Sequence, residues 1–419
     1  MALWTVHGDG RRVTDGEVVA PDERLSWPLT VGFGLQHVAA MFGATVLVPA
    51  STGFPVATTL LFSGLGTLLF LLVTRNRIPS YLGSSFAFIS PLTAARLEGL
   101  PAQLGGVLAV GVLLVFVGIA VKALGVRLLE SLMPPVVTGA VVMLIGLNLA
   151  PTATRNFQAQ PGLAVFTLAV ILLCGVLGRG LLSRASVLVG MLSGWLVAAL
   201  FGGIDSDRLN DLANAAWFGF PQLTAPELRP NVVLTVLPVV VVLVAENVGH
   251  VKAVASVTGR NLDGNVGDAL IANGLSTALA GVGGGSGTTT YAENIGVMTA
   301  TKVYSTAAYA VAAVCAIGLS FCPKFGTLLN TMPTGVLGGA MLLLYGLIAL
   351  VGVRIWLDNR VDLLNPVNLM IAGAALVAGV GNLTMSVGGV ALGGIAWGSL
   401  LIVVGHPLLR TLRAARRQG

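Results

Sequence analysis

TTTYAENIGVMTATK, residues 288–302, sets one carboxylate, Glu293, among apolar, small and hydroxylated residues. The chain around it is 55% hydrophobic and only 10% charged, against about 25% charged residues in soluble domains. A water-soluble fold of 419 residues could not hide that much apolar surface, so the chain reads as a polytopic membrane protein. At bilayer depth, a stretch broken by glycine and hydroxyl residues leaves backbone N–H and C=O groups free. That is tolerable only where protein, water or substrate satisfies them. The stretch therefore reads as a strand-like break from Thr288 to Tyr291, then a half-helix from about Glu293 that surfaces at Thr301 and Lys302. The preceding GVGGGSGTTT, 281–290, lacks the GK[ST] of a phosphate-binding loop.

Working outward, apolar runs long enough to cross about 30 Å of hydrocarbon lie at 29–50, 55–74, 104–125, 132–150, 160–178, 185–202, 232–251, 267–283, 304–323, 332–353, 364–380 and 387–405. Two interrupted segments, 79–100 and 286–301, bring the total to fourteen. With the N-terminus inside, only Arg96, Arg155, Arg208, Arg229 and Lys324 of the 23 basic residues fall outside, a positive-inside bias. Omitting one broken segment would erase much of that bias; omitting both would preserve parity. The long loop at 203–231 falls outside, with Trp217 and Phe218 as interfacial aromatics. Residues 1–28 are polar and read as a flexible cytoplasmic tail, and 406–419 as a basic one.

Fourteen segments divide into two inverted sets of seven, which makes segments 3 and 10 equivalents. These are the two broken ones. Ser85-Phe86-Ala87 in the first matches Thr290-Tyr291-Ala292 in the second. Paired interrupted segments point to a transporter's midplane site, where half-helix N-termini present N–H groups and a positive dipole end. The competing reading is two ordinary Gly/Ser-rich helices with a chance similarity.

Only two carboxylates, Glu246 and Glu293, lie deep in the segments. In VLVAENVGHVKAV, Glu246 and His250 are four apart and share a helix face. Ionisable groups at such depth mark pathways or proton relays; a structural Glu–His pair bridging helices is the alternative. ENVGH supplies one His and so no zinc motif. Gln36-His37, in LQHVAAMFGATVLVP, reads as packing or interhelical hydrogen bonding. Cys174, Cys315 and Cys322 have no metal-ligand spacing and read as packing residues. Asp268 reads as an interfacial anchor.

The run Glu293 to Lys302 fits an acidic or amide residue, Asn, any residue, Gly, four residues, Thr, then a basic residue or Gly. Together with Gln36-His37, YLGSSFAF, AENVGH and TTYAENIGVM, it makes the chain from about 20 to 405 resemble the nucleobase–ascorbate (nucleobase:cation symporter-2) family, its bacterial uracil and pyrimidine permeases in particular. The resemblance implies an all-α membrane fold of fourteen segments in two inverted repeats, with short antiparallel strands in segments 3 and 10. It implies a core domain at 29–125 and 232–325 and a gate domain at 126–231 and 326–405. It assigns the pyrimidine ring to Glu246 and Glu293, and the ring carbonyls to the backbone at Phe86 and Ala292. Ala44, Tyr291 and the Phe86 ring would shape the pocket, with Tyr345 approaching from the gate. His250 would share proton coupling with Glu246, and Asn294 joins Gln36 and His37 as a structural polar residue. Three departures leave the preferred pyrimidine open: Asn247 stands where some uracil permeases have a second His, Ala292 where some have Gly, and Gly287-Thr288 where some have Pro-Asn.

The expectation is a proton-coupled symporter importing uracil or a related pyrimidine across the bacterial inner membrane, with both termini cytoplasmic. The coupling ion is H+, with no metal or other cofactor. The partners are the nucleobase, membrane lipid and a second copy in a homodimer, with no nucleic acid. A xanthine or urate symporter is the rival within transporters. An anion transporter of the same fold would prefer a cation to two carboxylates. Nothing in the motifs supplies the nucleophile–base pair, metal cluster or cofactor loop of an enzyme.

Overall fold

A computed structural model describes residues 3–13, 17–125, 133–387 and 390–418. The expected domain boundary at 126 falls within 126–132, outside the described residues. The regular structure of the described chain is helical apart from three two-stranded pairings and one isolated bridge, Val19 with Val303. Two short strands, β1 (Thr5–Val6) and β2 (Glu23–Arg24), precede α1 (Trp27–Thr52) and α2 (Val56–Val73). Next come β3 (Leu82–Ser84), α3 (Ile89–Ala94) and α4 (Leu100–Leu124). The helices α5 (Pro135–Asn148), α6 (Ala150–Ala159), α7 (Pro161–Leu177) and α8 (Ser186–Leu200) complete the first half. The second half holds α9 (Pro230–Val236), α10 (Val239–Thr258), α11 (Val266–Gly283), β4 (Thr288–Thr290), α12 (Ala292–Thr301) and α13 (Thr306–Ser320). It closes with α14 (Thr334–Asp358), α15 (Pro366–Val380), the strands β5 (Met385–Val387) and β6 (Val390–Leu392), and α16 (Gly394–Gln418). Prolines in the first turns of α1, α4, α5, α7, α9 and α15 start helices where their missing N–H costs nothing.

Among the described residues, seven helices or helix pairs are long and apolar enough to cross a membrane. The number becomes eight if α13 and Pro323–Asn330, bent by 86°, form one span. The shorter apolar helices α7, α8 and α15 fall on three further expected segments. The last expected segment, 387–405, needs correction. Its first residue, Val387, ends strand β5, residues 390–392 form its partner β6, and the helix begins at Gly394 and runs on through the basic tail to Gln418.

The helices pack in two groups, one built from α1, α2, α4, α11 and α13, the other from α5, α6, α7, α8, α14, α15 and α16. α10 touches members of both, including α4, α11 and α12 on one side and α5 and α16 on the other. α11 is too polar to register as a free-standing span because it lies against protein. Ala269, Leu270, Ala272, Asn273, Ser276 and Thr277 on it are completely buried. Its Gly267, Gly274 and Gly281, one every seven residues, lie against Lys122, Val115 and Leu108 of the antiparallel α4. A Cβ added at Gly274 would sit 2.6 Å from the Val115 backbone nitrogen, so the two backbones touch as small-residue seams in membranes allow.

The N-terminal segment is not the flexible tail that its polarity suggests. Val19 N–H donates to Lys302 O at 3.0 Å, and Tyr304 N–H donates back to Val19 O at 2.8 Å. Thr306 uses both N–H and hydroxyl on Pro21 O, Trp4 Nε1 donates to Thr306 Oγ1 at 2.7 Å, and Arg260 pairs with Asp22 at 3.2 Å. Val19 and Leu25 bury their side chains with Val303. Proline, charge and glycine hide the segment in the sequence, because its order comes from backbone pairing to residues nearly 300 positions away.

Candidate functional site

The two interrupted segments meet. β3 and β4 pair antiparallel, Leu82 opposite Thr290, Gly83 opposite Thr289 and Ser84 opposite Thr288. The outer edges of this two-stranded piece are closed by hydroxyls. Leu82 N–H donates to Thr67 Oγ1 at 2.9 Å, Ser63 Oγ donates to Leu82 O, and Thr288 N–H donates to Thr277 Oγ1 at 3.2 Å. The broken backbone is therefore satisfied by buried Ser and Thr of α2 and α11, as membrane depth requires. Gly83 cannot be larger, since a Cβ there would run into the Tyr291 ring.

Each strand leads through one cap residue into a helical turn. Ser85 caps the turn Phe86–Phe88, its Oγ accepting from Ala87 N–H at 3.3 Å. Tyr291 stands at the N-cap of α12. Equivalence thus runs Ser84 to Thr290, Ser85 to Tyr291 and Phe86 to Ala292, one residue away from the match of Ser85-Phe86-Ala87 to Thr290-Tyr291-Ala292. The shift follows from hydrogen bonding: register and caps, not residue similarity, set the correspondence. The two turns begin at Phe86 and Ala292, directly after the paired strands and their caps.

Glu293 lies in the first turn of α12, where the helix dipole favours a negative charge. Glu246 approaches from α10, and Ser85 Oγ donates to its Oε2 at 3.4 Å. α10 packs against both β4 and α12, which brings the elements carrying Glu246 and Glu293 together at the junction. Glu246, Glu293 and His250 are half-buried and Ala292 is exposed, so the junction opens onto accessible space. His250 Nδ1 lies 2.7 Å from Thr290 Oγ1.

The remaining expected residues divide. Phe86 and Tyr345 of α14 stand edge to face, 5.6 Å apart at 80°, and join the two helical groups at the junction. Ala44 is buried in α1, one residue before Thr45, whose Oγ1 is 3.3 Å from the Tyr291 phenol. Tyr291 OH donates to Ser84 O at 3.0 Å, so its hydroxyl braces β3. Asn294 Nδ2 donates to His37 O at 3.0 Å and lies 3.1 Å from His37 Nδ1. The His37 ring also packs 4.1 Å from the Tyr309 ring, and Tyr309 OH donates to Asn294 O. These three tie α1, α12 and α13 together. Gln36, beside them, is half-buried, and its Oε1 has no partner among the described residues. Sequence reasoning placed Ser85 and Thr290 in the matched breaks without giving either a role, and missed the edge hydroxyls Ser63, Thr67 and Thr277. Asn247 was visible only as a departure from a pattern. No group of three or more His, Cys, Asp or Glu among the described residues could hold a metal ion.

Residues 29–388 match the xanthine/uracil permease model, described as "Permease family". The chain belongs to the nucleobase:cation symporter-2 permease family. This makes it a transporter rather than an enzyme. Among relatives of this permease, "Putative pyrimidine permease RutG" of Escherichia coli (strain K12) is 46% identical over 93% of this chain and 92% of its own length. "Uracil permease" of the same organism is 39% identical over 89% of each chain, and "Uracil permease" of Bacillus caldolyticus is 40% identical over 85% of this chain and 86% of its own. The permease also shares its fold with the transmembrane domain of a cyanobacterium bicarbonate transporter, BicA, at a TM-score of 0.60 and 15% identity, covering 84% of this chain and 94% of that one. SLC26A9 superposes at a TM-score of 0.63 and 11% identity over 92% of this chain and 65% of its own.

Proposed function

We propose that the chain is a proton-coupled symporter that imports uracil or a closely related pyrimidine by alternating access. The observation that carries this reading is the placement of Glu246 and Glu293 together at the meeting of the two broken segments. Uracil offers ring N–H donors and carbonyl acceptors. A carboxyl keeps an acceptor oxygen whether ionised or protonated, and backbone N–H groups only donate. Two Glu beside two half-helix N-termini at Phe86 and Ala292 complement that pattern, and the names of the relatives agree with it. Tyr345 and Phe86 would close over the ring, with Ala44 and Tyr291 at its edges.

In this mechanism, a proton from outside neutralises Glu246, with His250 one turn away exchanging it. Substrate binding to the protonated site lets the core domain, 29–125 and 232–325, move against the gate domain, 126–231 and 326–405. Proton and substrate then leave on the inner side. The N-terminal strap and the C-terminal end of α16 face the cytoplasm of a bacterial inner membrane, and the long loop at 203–231 faces outward. The exposed apolar faces of α7, α8 and α15 meet lipid or a second copy.

Competition of labelled uracil uptake by unlabelled nucleobases tests the substrate. Uracil and thymine are expected to compete and xanthine not to, because a polar site leaves its buried groups unpaired against a mismatched ring. Stronger competition by xanthine than by uracil would transfer the assignment to a purine symporter.

A further inference from the structure

Behind the site, the buried Asn247 and Thr290 and the half-buried His250 form a chain of hydrogen bonds whose directions can be assigned one after another. Asn247 Nδ2 donates to Leu243 O, one turn back on α10, at 2.7 Å. That orients the amide and leaves Oδ1 as an acceptor. Thr290 Oγ1 lies 3.5 Å from Asn247 Oδ1 and 2.7 Å from His250 Nδ1. A hydroxyl has one proton to give. Given to Asn247, which can only accept at Oδ1, it leaves the Thr290 oxygen as an acceptor for His250. Asn247 is 0% exposed and Thr290 1%, so the chain of bonds starts in the protein interior and ends at the half-buried His250.

We infer that Asn247 and Thr290 are positioning residues that hold His250 as its Nδ1–H tautomer, leaving Nε2 as the proton acceptor of the site. The tautomer is inferred from the hydrogen-bond geometry; its use in transport rests on the proton-symport reading. His250 then gains and loses its proton at Nε2 only. The Nδ1–H bond to Thr290 persists in both states, so the relay needs no rearrangement when the ring titrates. The other titratable groups around α10 leave this assignment intact. Glu246 lies one turn back on the same helix and Glu293 faces it from α12. Lys122 and Asp268 pair with each other at 2.6 Å, and His406 bonds Asn368. The position where some family members carry a second His is occupied here by the residue that fixes the remaining one.

The test uses full-length protein in lipid nanodiscs with 15N-labelled histidine. The chain has four histidines, and the His250 signals are identified by their loss in His250→Gln. Above the titration range, the neutral ring is expected to carry its hydrogen on Nδ1 in the native protein and in Thr290→Ser. In Thr290→Val and Asn247→Leu it is expected to shift wholly or partly to Nε2. Uracil uptake by Thr290→Val should fall about three- to tenfold, the loss of one buried hydrogen bond, with a displaced pH profile that Thr290→Ser restores. A native ring protonated on Nε2, or a tautomer unchanged in Thr290→Val, overturns the inference. These failures are distinct from failure of the transport reading: Nδ1–H without nucleobase uptake would overturn that reading and leave the relay standing.

Discussion

At the residue scale, the two carboxylates are the parts of the site that announce themselves in the sequence. A carboxylate in an apolar run has no reason to be there except a partner or a pathway, and Glu246 and Glu293 are the only two so placed. Their supporting hydroxyls carry no such signal. Ser and Thr are common in membrane segments, where each can bond its own helix, as Thr258 does to Val254 O. What distinguishes Ser85 and Thr290 is strand register, which a single sequence does not print. Glu293→Gln keeps the shape of the side chain and turns one acceptor oxygen into a donor. Substrate affinity, measured by equilibrium binding to purified protein, should weaken about 10- to 100-fold, the loss of a charge-assisted hydrogen bond. Unchanged affinity would remove Glu293 from the site.

At the element scale, the breaks were legible and their alignment was not. Glycine and hydroxyl density located both interrupted segments because regular helices avoid such composition. Matching them by residue type misplaced the equivalence by one position, since a cap is defined by its hydrogen bonds and both Ser85 and Tyr291 serve. The strand β6 was absorbed into the last segment for a related reason: Val, Ala and Leu read equally as strand or helix in a short apolar run. Helix packing offers a sharper test. Gly274→Ala on α11 forces a methyl group against the Val115 backbone, with no flexible side chain to yield. Such overpacking costs about 1–3 kcal/mol and should lower the thermal midpoint in detergent. Gly296→Ala, with open space around its Cα, should leave it unchanged. Equal midpoints for both variants would contradict the seam.

At the scale of the whole molecule, composition was enough to give a multi-pass membrane protein, and the charge asymmetry is the basis of the proposed orientation. The N-terminal strap was invisible because it depends on long-range backbone pairing. It fastens the segment at 302–306 that directly follows α12, the half-helix carrying Glu293. Deleting residues 1–25 should therefore lower the thermal midpoint and weaken nucleobase binding several-fold, since α12 loses its anchor at Lys302. A truncated protein with native stability and native affinity would reduce the strap to a passive covering.

Glu246 is proposed to couple substrate movement to protons. The most direct test is labelled-uracil uptake into proteoliposomes under an imposed proton gradient, acid outside. Native protein should accumulate uracil above its external concentration and lose that accumulation when a protonophore collapses the gradient. Glu246→Gln should lose gradient-driven accumulation. Accumulation insensitive to the protonophore, or a Glu246→Gln protein that concentrates uracil like the native one, would contradict the account.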